Sequence, residues 1–403
     1  MSMLVNPYIY GGVAPPFYFY ATWDSANADI SDGGSYHSTG TFTVPTGWNG
    51  RKVRVSAGGL VSAAALAVST SKNGTVFDGM GYSTFPNSGA VSDGGTVHSA
   101  PVVVLTGDTL TCAGGSLADG TWRGVELLPS GVDGALVNRI TSGFAHGTTA
   151  TIIEWNNEVY DTDTYHDNSV NPSRLTPQGA SGLIRLQANV ALSATQAEIR
   201  LEFYQNGVAT GYTGESVDEW YNLMSPPLTY TAGDYFEVAV DPNVAGDVNV
   251  DERSWFAIEE LDPALQYAIC EFSAGQSIPS GSVWTAITAG TQLVDVGGWF
   301  TPSTSYFTVP SGVTKVRVGY TARNTTGIPS ACEIAIFKNG AAFNQMPSNS
   351  QVTAGSEFNH AVSTIIECTA GDTFDFRART GFGAQAIAIG SRFWIEEVPD
   401  VTS

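Results

Sequence analysis

Residues 306–320 read YFTVPSGVTKVRVGY, and residues 41–55 repeat the pattern as TFTVPTGWNGRKVRV. In both copies a short β-rich run ends at a proline, a glycine-containing turn follows, and a strict alternation begins. Val316 and Val318 point to one side of the chain and Arg317 to the other. Alternation with a period of two residues predicts a strand with one buried and one solvent-facing side. This cassette therefore predicts antiparallel β structure.

Three further landmarks follow the cassette in a constant order. Asn-Gly dipeptides, which favour tight hairpin turns, begin at Asn73, Asn206 and Asn339, so successive copies lie 133 residues apart. Gly-Asp turns occupy residues 107–108, 233–234 and 371–372. The closing runs TWRGVELLP, SWFAIEELD and SRFWIEEVP begin at residues 121, 254 and 391. Recurrence in one order predicts three tandem domains, each long enough for its own core.

The expected organisation is all-β, with three antiparallel β-sandwich domains in tandem. The abundance of glycine, 45 residues, and the low charged fraction, 14%, favour many short strands over long surface helices. The boundaries are an N-terminal aromatic arm at 1–16 and domains at 17–134, 135–262 and 263–403. Linkers this short predict domains that lie side by side or stacked, with limited hinge motion.

The charge balance restricts the expected partners. Lys+Arg number 17 against 38 Asp+Glu, which gives a net charge of −21. An acidic surface disfavours nucleic acid and anionic membranes, so we expect neutral, aromatic-lined or basic partners. No apolar run is long enough for membrane insertion. No Lys or Arg precedes Arg51, so a secretory signal peptide is not expected.

The N-terminal arm is rich in aromatic side chains. The aromatic stretch continues from the arm into the start of the first domain, and its docking candidates are Tyr8, Tyr10, Phe17, Tyr18, Phe19 and Tyr20. Many aromatic rings on an extended segment are costly to leave in water. We therefore expect this arm either to cover the first domain or to dock on another protein.

The four cysteines show no metal-binding or redox spacing. They are Cys112, Cys270, Cys332 and Cys368. Buried free thiols in a protein made in a reducing cytoplasm are expected, and a bridge between Cys332 and Cys368 is the alternative.

The sharpest cluster of candidate metal ligands is the loop containing Asp161, Asp163, His166, Asp167 and Asn168. Oxygen ligands at alternate positions could bind calcium. A polar turn in which the aspartates cap backbone N–H groups is the structural alternative and the preferred interpretation. Apart from this calcium hypothesis, no cofactor is expected.

The closing strands carry repeated carboxylates at Glu126, Glu259, Glu260, Glu396 and Glu397. Two carboxylates could act as acid and base in glycoside cleavage, but adjacent strand residues face opposite sides. Recurrence at equivalent places in diverged copies favours a structural role. Since the sequence also lacks a nucleophile elbow, we expect no enzymatic activity and no catalytic residues.

Aromatic residues outside the arm could bind sugars by stacking. Trp48, Trp220 and Tyr221 are the candidate glycan contacts. The alternative is that they belong to a sandwich core, as most tryptophans do.

The combined pattern resembles the complement globular-head and tumour necrosis factor family of jelly rolls, in the version found as modules in tailed-bacteriophage virion proteins. "FTVPSGVTKVRV", an Asn-Gly hairpin, "TAGDTFDF" and "SWFAIEEL" carry the resemblance. The matching positions are Tyr160, Asp161, Pro177, Gly179, Gly233, Asp234 and Phe256 in the second domain, and Phe307, Pro310, Gly312, Gly371, Asp372 and Phe393 in the third. The first domain departs from the pattern in its Ser/Gly-rich lead-in. The resemblance implies antiparallel jelly-roll sandwiches that often trimerise.

These features lead to a functional expectation. The resemblance implies a non-enzymatic virion protein of a tailed bacteriophage, made in the host cytoplasm and displayed on the particle surface as a head decoration or head fibre. A tail fibre or receptor-binding protein that adheres to host-surface glycans is the alternative, followed by a polysaccharide-degrading spike. The three copies could surround a pseudo-threefold axis within one chain, or three chains could stack as homotrimeric layers. Other virion proteins of the capsid or tail are the expected partners.

Overall fold

The computed structural model shows a chain built of β-strands. It describes residues 18–22, 37–38, 41–61, 66–75, 82–85, 93–114, 122–129, 131–141, 143–146, 149–193, 199–216, 220–242, 248–281, 283–288, 290–301, 304–324, 332–350, 357–380 and 385–399. Within these ranges, no helix has the length and apolar character needed to cross a bilayer. The prediction of an all-β, antiparallel chain is confirmed.

Strand pairing divides the described chain into three consecutive stretches. We call residues 18–128 unit 1, residues 134–261 unit 2 and residues 265–398 unit 3. In each unit one sheet contains the strand that follows the cassette position and the closing strand, and a second sheet contains the hairpin after it. A cluster of buried apolar residues lies in each unit, and the cluster of unit 2 continues into unit 3 through residues such as Val362 and Trp394.

The described part of unit 1 has ten strands and one short 3₁₀ turn at Thr46–Trp48. The strands are β1 (Tyr18–Thr22), β2 (His37–Ser38), β3 (Thr41–Thr43), β4 (Lys52–Val61), β5 (Leu66–Lys72), β6 (Tyr82–Phe85), β7 (Asp93–His98), β8 (Val102–Val103), β9 (Thr109–Gly114) and β10 (Trp122–Leu127). One sheet has the order β1-β10-β4-β7, and the other β2-β3-β9-β5-β6. Phe42 and Trp48 pack against each other in the core between them.

Unit 2 repeats this plan, with twelve strands among its described residues. They are β11 (Gly134–Asn138), β12 (Phe144–His146), β13 (Thr151–Ile152), β14 (Asn157–Asp161), β15 (Ser181–Ala191), β16 (Ile199–Gln205), β17 (Val208–Ser216), β18 (Trp220–Met224), β19 (Leu228–Thr231), β20 (Phe236–Pro242), β21 (Val248–Val250) and β22 (Trp255–Leu261). The two main sheets have the orders β14-β11-β22-β15-β18 and β13-β20-β16-β17. Phe203, Phe236 and Phe256 lie in the core.

Unit 3 has thirteen described strands. They are β23 (Tyr267–Glu271), β24 (Gln276–Ile278), β25 (Thr285–Ala286), β26 (Thr291–Val296), β27 (Tyr306–Thr308), β28 (Lys315–Asn324), β29 (Cys332–Lys338), β30 (Ala341–Ser350), β31 (Glu357–Val362), β32 (Ile366–Glu367), β33 (Thr373–Thr380), β34 (Gln385–Ile387) and β35 (Arg392–Glu397). The sheet orders are β24-β34-β28-β35-β23-β26 and β25-β33-β29-β30. The cassette of residues 306–320 forms β27 and β28.

The Asn-Gly and Gly-Asp landmarks contact each other in every unit. Asn339 adopts a positive φ of 53° at its turn and donates from Nδ2 to Asp372 Oδ1 at 2.7 Å. Its Oδ1 accepts the N–H of Thr373 at 2.8 Å. The equivalent pairs are Asn73 with Asp108 at 2.8 Å and Asn206 with Asp234 at 2.6 Å. Burial alone would raise the pKa of Asp372, but its hydrogen bonds and Lys338 hold it at about 2.

One expectation about the strand faces is wrong. The side of β28 opposite Val316 and Val318 is not solvent-facing, because Arg317 is only 2% exposed, and Arg54 of β4 is fully buried. A period of two residues distinguishes the two sides of a strand, but it does not show whether water or another unit covers the polar side. Here the polar side packs against the other units.

The structure describes part of the aromatic arm. Tyr8, Tyr10 and Phe17 lie outside the described residues. Tyr18, Phe19 and Tyr20 belong to β1, whose backbone pairs antiparallel with the closing strand β10. This stretch is therefore a strand of unit 1. Of the side chains in β1, nothing is described.

The described cysteine thiols agree with the preferred interpretation. Cys270, Cys332 and Cys368 are buried and free, so no bridge joins Cys332 to Cys368. Burial raises the pKa of Cys368 to about 11, which keeps this thiol protonated at neutral pH. The side chain of Cys112 lies outside the described part of the chain.

Candidate functional site

Each unit brings one arginine and one glutamate to the junction of the three units. The strands that follow the cassette position supply Arg54, Arg185 and Arg317, and the closing strands supply Glu126, Glu259 and Glu396. Within a unit the two residues are direct cross-strand neighbours. The antiparallel register therefore places opposite charges side by side on the same face of the sheet. We call these six residues the ion ring.

The ion ring joins the units in a closed cyclic order. Arg54 binds Glu126 of its own unit at 3.2 Å and also Glu259 of unit 2. Arg185 lies 3.7 Å from Glu259 and binds Glu396 of unit 3 at 2.5 Å. Arg317 binds Glu396 at 2.9 Å and also Glu126, back in unit 1. Each arginine therefore links its own unit to the next one.

The ring is buried and electrically balanced. Three cations and three anions alternate, and the glutamate side chains are between 1% and 12% exposed. Burial alone would raise the pKa of Glu126, but Arg317 and Arg54 outweigh it and hold that pKa below its usual value. Burial alone would lower the pKa of Arg317, but Glu126 and Glu396 raise it instead. Every ion of the ring has two neighbours of opposite sign, which offset the cost of burying its charge.

A second circuit of hydrogen bonds runs in the same direction. Backbone N–H groups of His98, Met224 and Val362 donate to side chains of Asn222, His360 and Thr96, respectively, at 3.1, 3.2 and 3.4 Å. Each bond joins a strand end of one unit to a side chain of the next. The three donors pair with the same position of the strand that follows the cassette in each unit, and the three acceptors pair with another shared position of that strand. The hydrogen bonds therefore join equivalent positions of the three units. Asn222, His360 and Thr96 therefore accept equivalent hydrogen bonds although they are different residue types.

The two histidines of this circuit are neutral. His98 accepts from Ser56 Oγ at Nδ1 and donates from Nε2 to the Val362 carbonyl, both at 2.8 Å. Burial, followed by the charge of Arg317, holds the pKa of His98 well below its usual value. Burial lowers the pKa of His360 to about 3. Protonation would remove the nitrogen lone pairs that accept these hydrogen bonds.

Contacts between strands away from the ion ring follow the same cyclic order of the units. Strand β6 of unit 1 contacts β18 of unit 2, β17 of unit 2 contacts β31 of unit 3, and β30 of unit 3 contacts β7 of unit 1. Between units 2 and 3, Tyr212 meets Trp394 edge to face at 6.0 Å, and Arg392 lies over the Tyr212 ring. The three units therefore surround a common axis that passes through the ion ring.

A cavity of about 430 Å³ lies beside the ion ring. Four members of the ring, Arg185, Arg317, Glu126 and Glu259, are among the residues that line it. Chain segments that follow the closing strands of all three units form its walls, at Leu128, Asp262 and Val398. We call this space the axial cavity.

The Asp161 loop has the geometry of a capping turn. Asp161 accepts N–H groups of Asp163, Tyr165 and His166 at 3.2, 3.0 and 2.9 Å. Asp167 accepts from the backbone and hydroxyl of Ser169. Among the residues that the structure describes, no group of three or more metal-binding side chains comes together. The calcium hypothesis for Asp161, Asp163 and Asp167 stays a prediction, while the hydrogen bonds support the capping alternative.

An equivalent turn in unit 3 supports the capping role of Asp161. Asp295 accepts N–H groups of Gly298, Trp299 and Phe300 at 2.9, 2.9 and 3.0 Å. The two turns occupy corresponding places after the edge strands β14 and β26, although their sequences differ. Because one carboxylate accepts three backbone N–H groups in both units, we infer that each carboxylate stabilises its turn.

The glycan candidates lie in different environments. Trp48 is 1% exposed in the core of unit 1, so its indole is not available to a sugar at the surface. Tyr221 is half-buried and packs against the core of unit 2. Trp220 lies in β18, and its side chain is outside the described part of the chain. Trp48 and Tyr221 lie in different units and do not form a common surface.

Sequence reasoning found the glutamates of the ring but missed their arginines. Glu126, Glu259 and Glu396 were expected to have a structural role, and each binds two arginines. The missed signal was the arginine that recurs in KVRV, LIRL and KVRV at the same position of each repeat. A positive residue and a negative residue on paired strands of every copy could have indicated a shared interface.

Comparisons with known proteins assign no family. No family model matches the sequence, and no curated protein matches it. Three solved structures show weak similarity. They are the insecticidal delta-endotoxin Cry8Ea1 from Bacillus thuringiensis (11% identity, 65% of this chain and 60% of that chain, TM-score 0.19), dimeric latent PorU from Porphyromonas gingivalis (10%, 82% and 32%, 0.19) and the lipid-containing bacteriophage PM2 (7%, 89% and 97%, 0.16). None of these TM-scores indicates a shared fold.

Proposed function

We propose that the protein is a non-enzymatic structural protein of a tailed-bacteriophage virion, displayed on the particle surface as a head decoration or head fibre. In this proposal the units are three tandem jelly-roll domains of the complement globular-head and tumour necrosis factor type. The three domains of one chain then take the places that three separate chains take in a trimer. The host cytoplasm is the place of synthesis, in keeping with the buried free thiols.

The closed ion ring is the observation that carries this proposal. The resemblance implies modules that trimerise, and here the equivalent faces of three units meet through equivalent residues in cyclic order. Arrangement around one axis in a single chain accounts for the recurrence of the arginine and the glutamate in every copy. It is also compatible with the short linkers between the units.

The contacts that the repeated carboxylates make support a structural role for these residues. Glu126, Glu259 and Glu396 are each bound by two arginines, and those of Glu126 hold its pKa low, whereas a general acid requires a raised pKa. Glu260 accepts a hydrogen bond from the Tyr230 hydroxyl at 2.8 Å. These contacts favour a rigid block that displays its surface over acid–base chemistry at the closing strands.

A binding experiment with virus particles tests the proposal. The purified chain is mixed with heads that lack it and with tails from the same phage, and bound protein is measured after sedimentation. We expect saturable binding to heads. A variant that lacks residues 1–16 tests the arm, since this deletion removes no residue of β1 or β10.

Other outcomes would favour the other functional classes. Binding to tails or to host-surface glycans without binding to heads would contradict head decoration and favour a tail fibre or receptor-binding protein. Release of reducing sugar from host polysaccharide would contradict a non-enzymatic role. Loss of head binding on removal of residues 1–16 would assign the docking contact to the arm.

A further inference from the structure

In the described part of the chain, ions and hydrogen bonds join unit 1 to the other two units. Arg54 binds Glu259 of unit 2, and Glu126 binds Arg317 of unit 3. The main apolar cluster of unit 1 contains residues of that unit alone. A smaller cluster brings Ala100 of unit 1 together with three apolar residues of unit 2, which are Leu136, Trp255 and Ala257.

Units 2 and 3 are joined differently. Their buried apolar residues form one continuous cluster, in which Val362 and Trp394 of unit 3 pack with residues of unit 2. The Trp394 ring meets Tyr212 of unit 2 edge to face at 6.0 Å. Separation of these two units would expose apolar surface to water, whereas separation of unit 1 would expose ions and hydrogen-bonding groups that water solvates. Unit 1 is therefore the one that separates at the lower cost.

His98 lies where unit 1 meets both other units. Its backbone N–H donates to Asn222 Oδ1 of unit 2 at 3.1 Å, and its carbonyl accepts from Asn222 Nδ2 at 3.0 Å. Its ring Nε2 donates to the Val362 carbonyl of unit 3 at 2.8 Å. One buried residue therefore binds unit 2 through its backbone and unit 3 through its side chain.

The surroundings of the His98 ring disfavour a positive charge. Strands β4, β6, β18, β30 and β31 contact β7, which carries His98. The ionisable residues of these strands are Lys52, Arg54, Tyr82, Tyr221, Glu357 and His360. Burial lowers the pKa of His98 most, and Arg317, Arg54 and His360 lower it further, while the hydrogen bond to the Val362 carbonyl acts in the opposite direction.

We propose that protonation of His98 releases unit 1 from units 2 and 3 as one folded body in mildly acidic solution. In the closed form the ring is buried beside two arginines, and in the open form water solvates the imidazolium. The linker of residues 129–133 keeps the released unit attached, so the release is reversible. It depends on contacts within the chain alone and therefore does not require the virion role.

The expected effect of pH follows from the linkage between proton binding and opening. A histidine that is exposed in the open form has a pKa of about 6.5, whereas the closed form excludes the proton. The closed form is therefore fully stable above this pH and loses stability as the pH falls below it. The open fraction should increase about thirtyfold between pH 8 and pH 5. Exposed glutamates titrate at about pH 4.3, so they contribute little in this range.

Amide hydrogen exchange of the full chain measures the release at single residues. The N–H groups of His98 and Val362 form hydrogen bonds across the faces of unit 1, whereas the Met224 N–H forms one between units 2 and 3. After correction for the intrinsic exchange rate at each pH, the protection of His98 and Val362 should fall about thirtyfold between pH 8 and pH 5. At pH 5 it should lie at least about tenfold below that of Met224.

Two variants separate His98 from a general sensitivity to acid. His98→Gln keeps a side-chain donor for the Val362 carbonyl but binds no proton in this range, so the fall in protection at Val362 should disappear. His360→Asn removes a histidine from the joint between units 2 and 3, and should leave that fall unchanged to within about twofold. Circular dichroism establishes whether each variant is folded, and the wild-type exchange rates test the release independently of both.

Three results would overturn the proposal. Equal protection of Val362 and Met224 at pH 5 would show that all three units open together. Protection of Val362 that does not change between pH 8 and pH 5 would show that His98 has no part in opening. A fall in protection that persists in folded His98→Gln would assign the pH dependence to another group.

Discussion

Arg317 Nη2 donates to Glu126 Oε2, which joins residues 191 positions apart in the chain and closes unit 3 back onto unit 1. The same arginine binds Glu396 of its own unit through Nη1 at 2.9 Å. The contact links the first and third units directly, so it depends on the folding of almost the whole chain. The ion ring should therefore contribute to cooperative unfolding of the three units.

Neutralisation of one ring glutamate should destabilise the protein strongly. Glu126→Gln leaves three buried arginines with two carboxylates, and an uncompensated buried charge costs about 3–5 kcal/mol of unfolding free energy. Urea unfolding followed by fluorescence and by circular dichroism measures this change. The exposed substitution Glu252→Gln should change stability by less than about 0.5 kcal/mol. A cost for Glu126→Gln similar to that of the control would contradict a closed ring.

The energetic link between units 1 and 3 should appear as non-additivity. Arg317→Gln and Glu126→Gln alter one contact pair, so the double variant should be less destabilised than the sum of the single variants by at least about 1 kcal/mol. A double-mutant cycle in urea provides the coupling energy. Additive effects would show that the two residues do not interact across the unit boundary.

Stability should decrease as the pH falls below about 6.5. His98 and His360 have lowered pKa values in the folded protein, about 3 for His360, whereas an unfolded histidine titrates near 6.5. Below pH 6.5 the unfolded chain binds protons that the folded chain excludes, so unfolding becomes more favourable. Chemical unfolding between pH 8 and pH 5 measures this decrease.

His360→Asn should reduce this pH dependence. Asn222 is the equivalent residue in unit 2, where it accepts a backbone N–H just as His360 does. The variant keeps an acceptor but loses a titratable group whose unfolded pKa is near 6.5, so the loss of stability between pH 8 and pH 5 should be smaller by about 2 kcal/mol. Identical pH profiles for the variant and the wild type would show that His360 titrates normally in the folded protein.

The native mass should be that of one chain. Three equivalent faces already meet within one chain. These faces are therefore buried and are not available to bind further copies of the chain. Light scattering on the purified protein should yield a mass near 42.4 kDa. A mass three times larger would instead favour homotrimeric layers, and would require the ion ring to form differently from the structure.

Asp161 and Asp295 should behave alike, and independently of calcium. Each carboxylate accepts three backbone N–H groups, so replacement by alanine should cost about 1–2 kcal/mol in either case. Thermal unfolding is measured with added calcium and with a chelator. A calcium-dependent increase in the midpoint that Asp161→Ala abolishes would instead establish a metal site in the Asp161 loop.

Local sequence patterns predicted much of the strand architecture. The alternation around Val316 and Val318 corresponds to β28, and the landmarks beginning at Asn339 and ending at Asp372 form turns that contact each other. These features depend on residues close in sequence or on backbone preferences such as positive φ at Asn-Gly. For this reason they could be predicted without knowledge of the contacts between units.

The candidate sites were less predictable because exposure depends on packing. The residues around Trp48 in the sequence did not show whether its side chain lies at the surface or in a core. Arg54 and Arg317 were placed on a solvent-facing side, yet both are buried against other units. Side-chain period identifies two faces of a strand, whereas the identity of the covering layer follows from the arrangement of whole sheets.

The amino-acid pattern alone determined that the chain is all-β and that its landmarks recur three times, since strand periodicity and turn preferences are local properties. Only the tertiary structure decided that the recurring arginines and glutamates form one buried ring. Short linkers allow stacked units as well as units around an axis, and both arrangements preserve the same local pattern. The difference lies in contacts between residues as far apart as Arg317 and Glu126, which depend on how the units pack against each other.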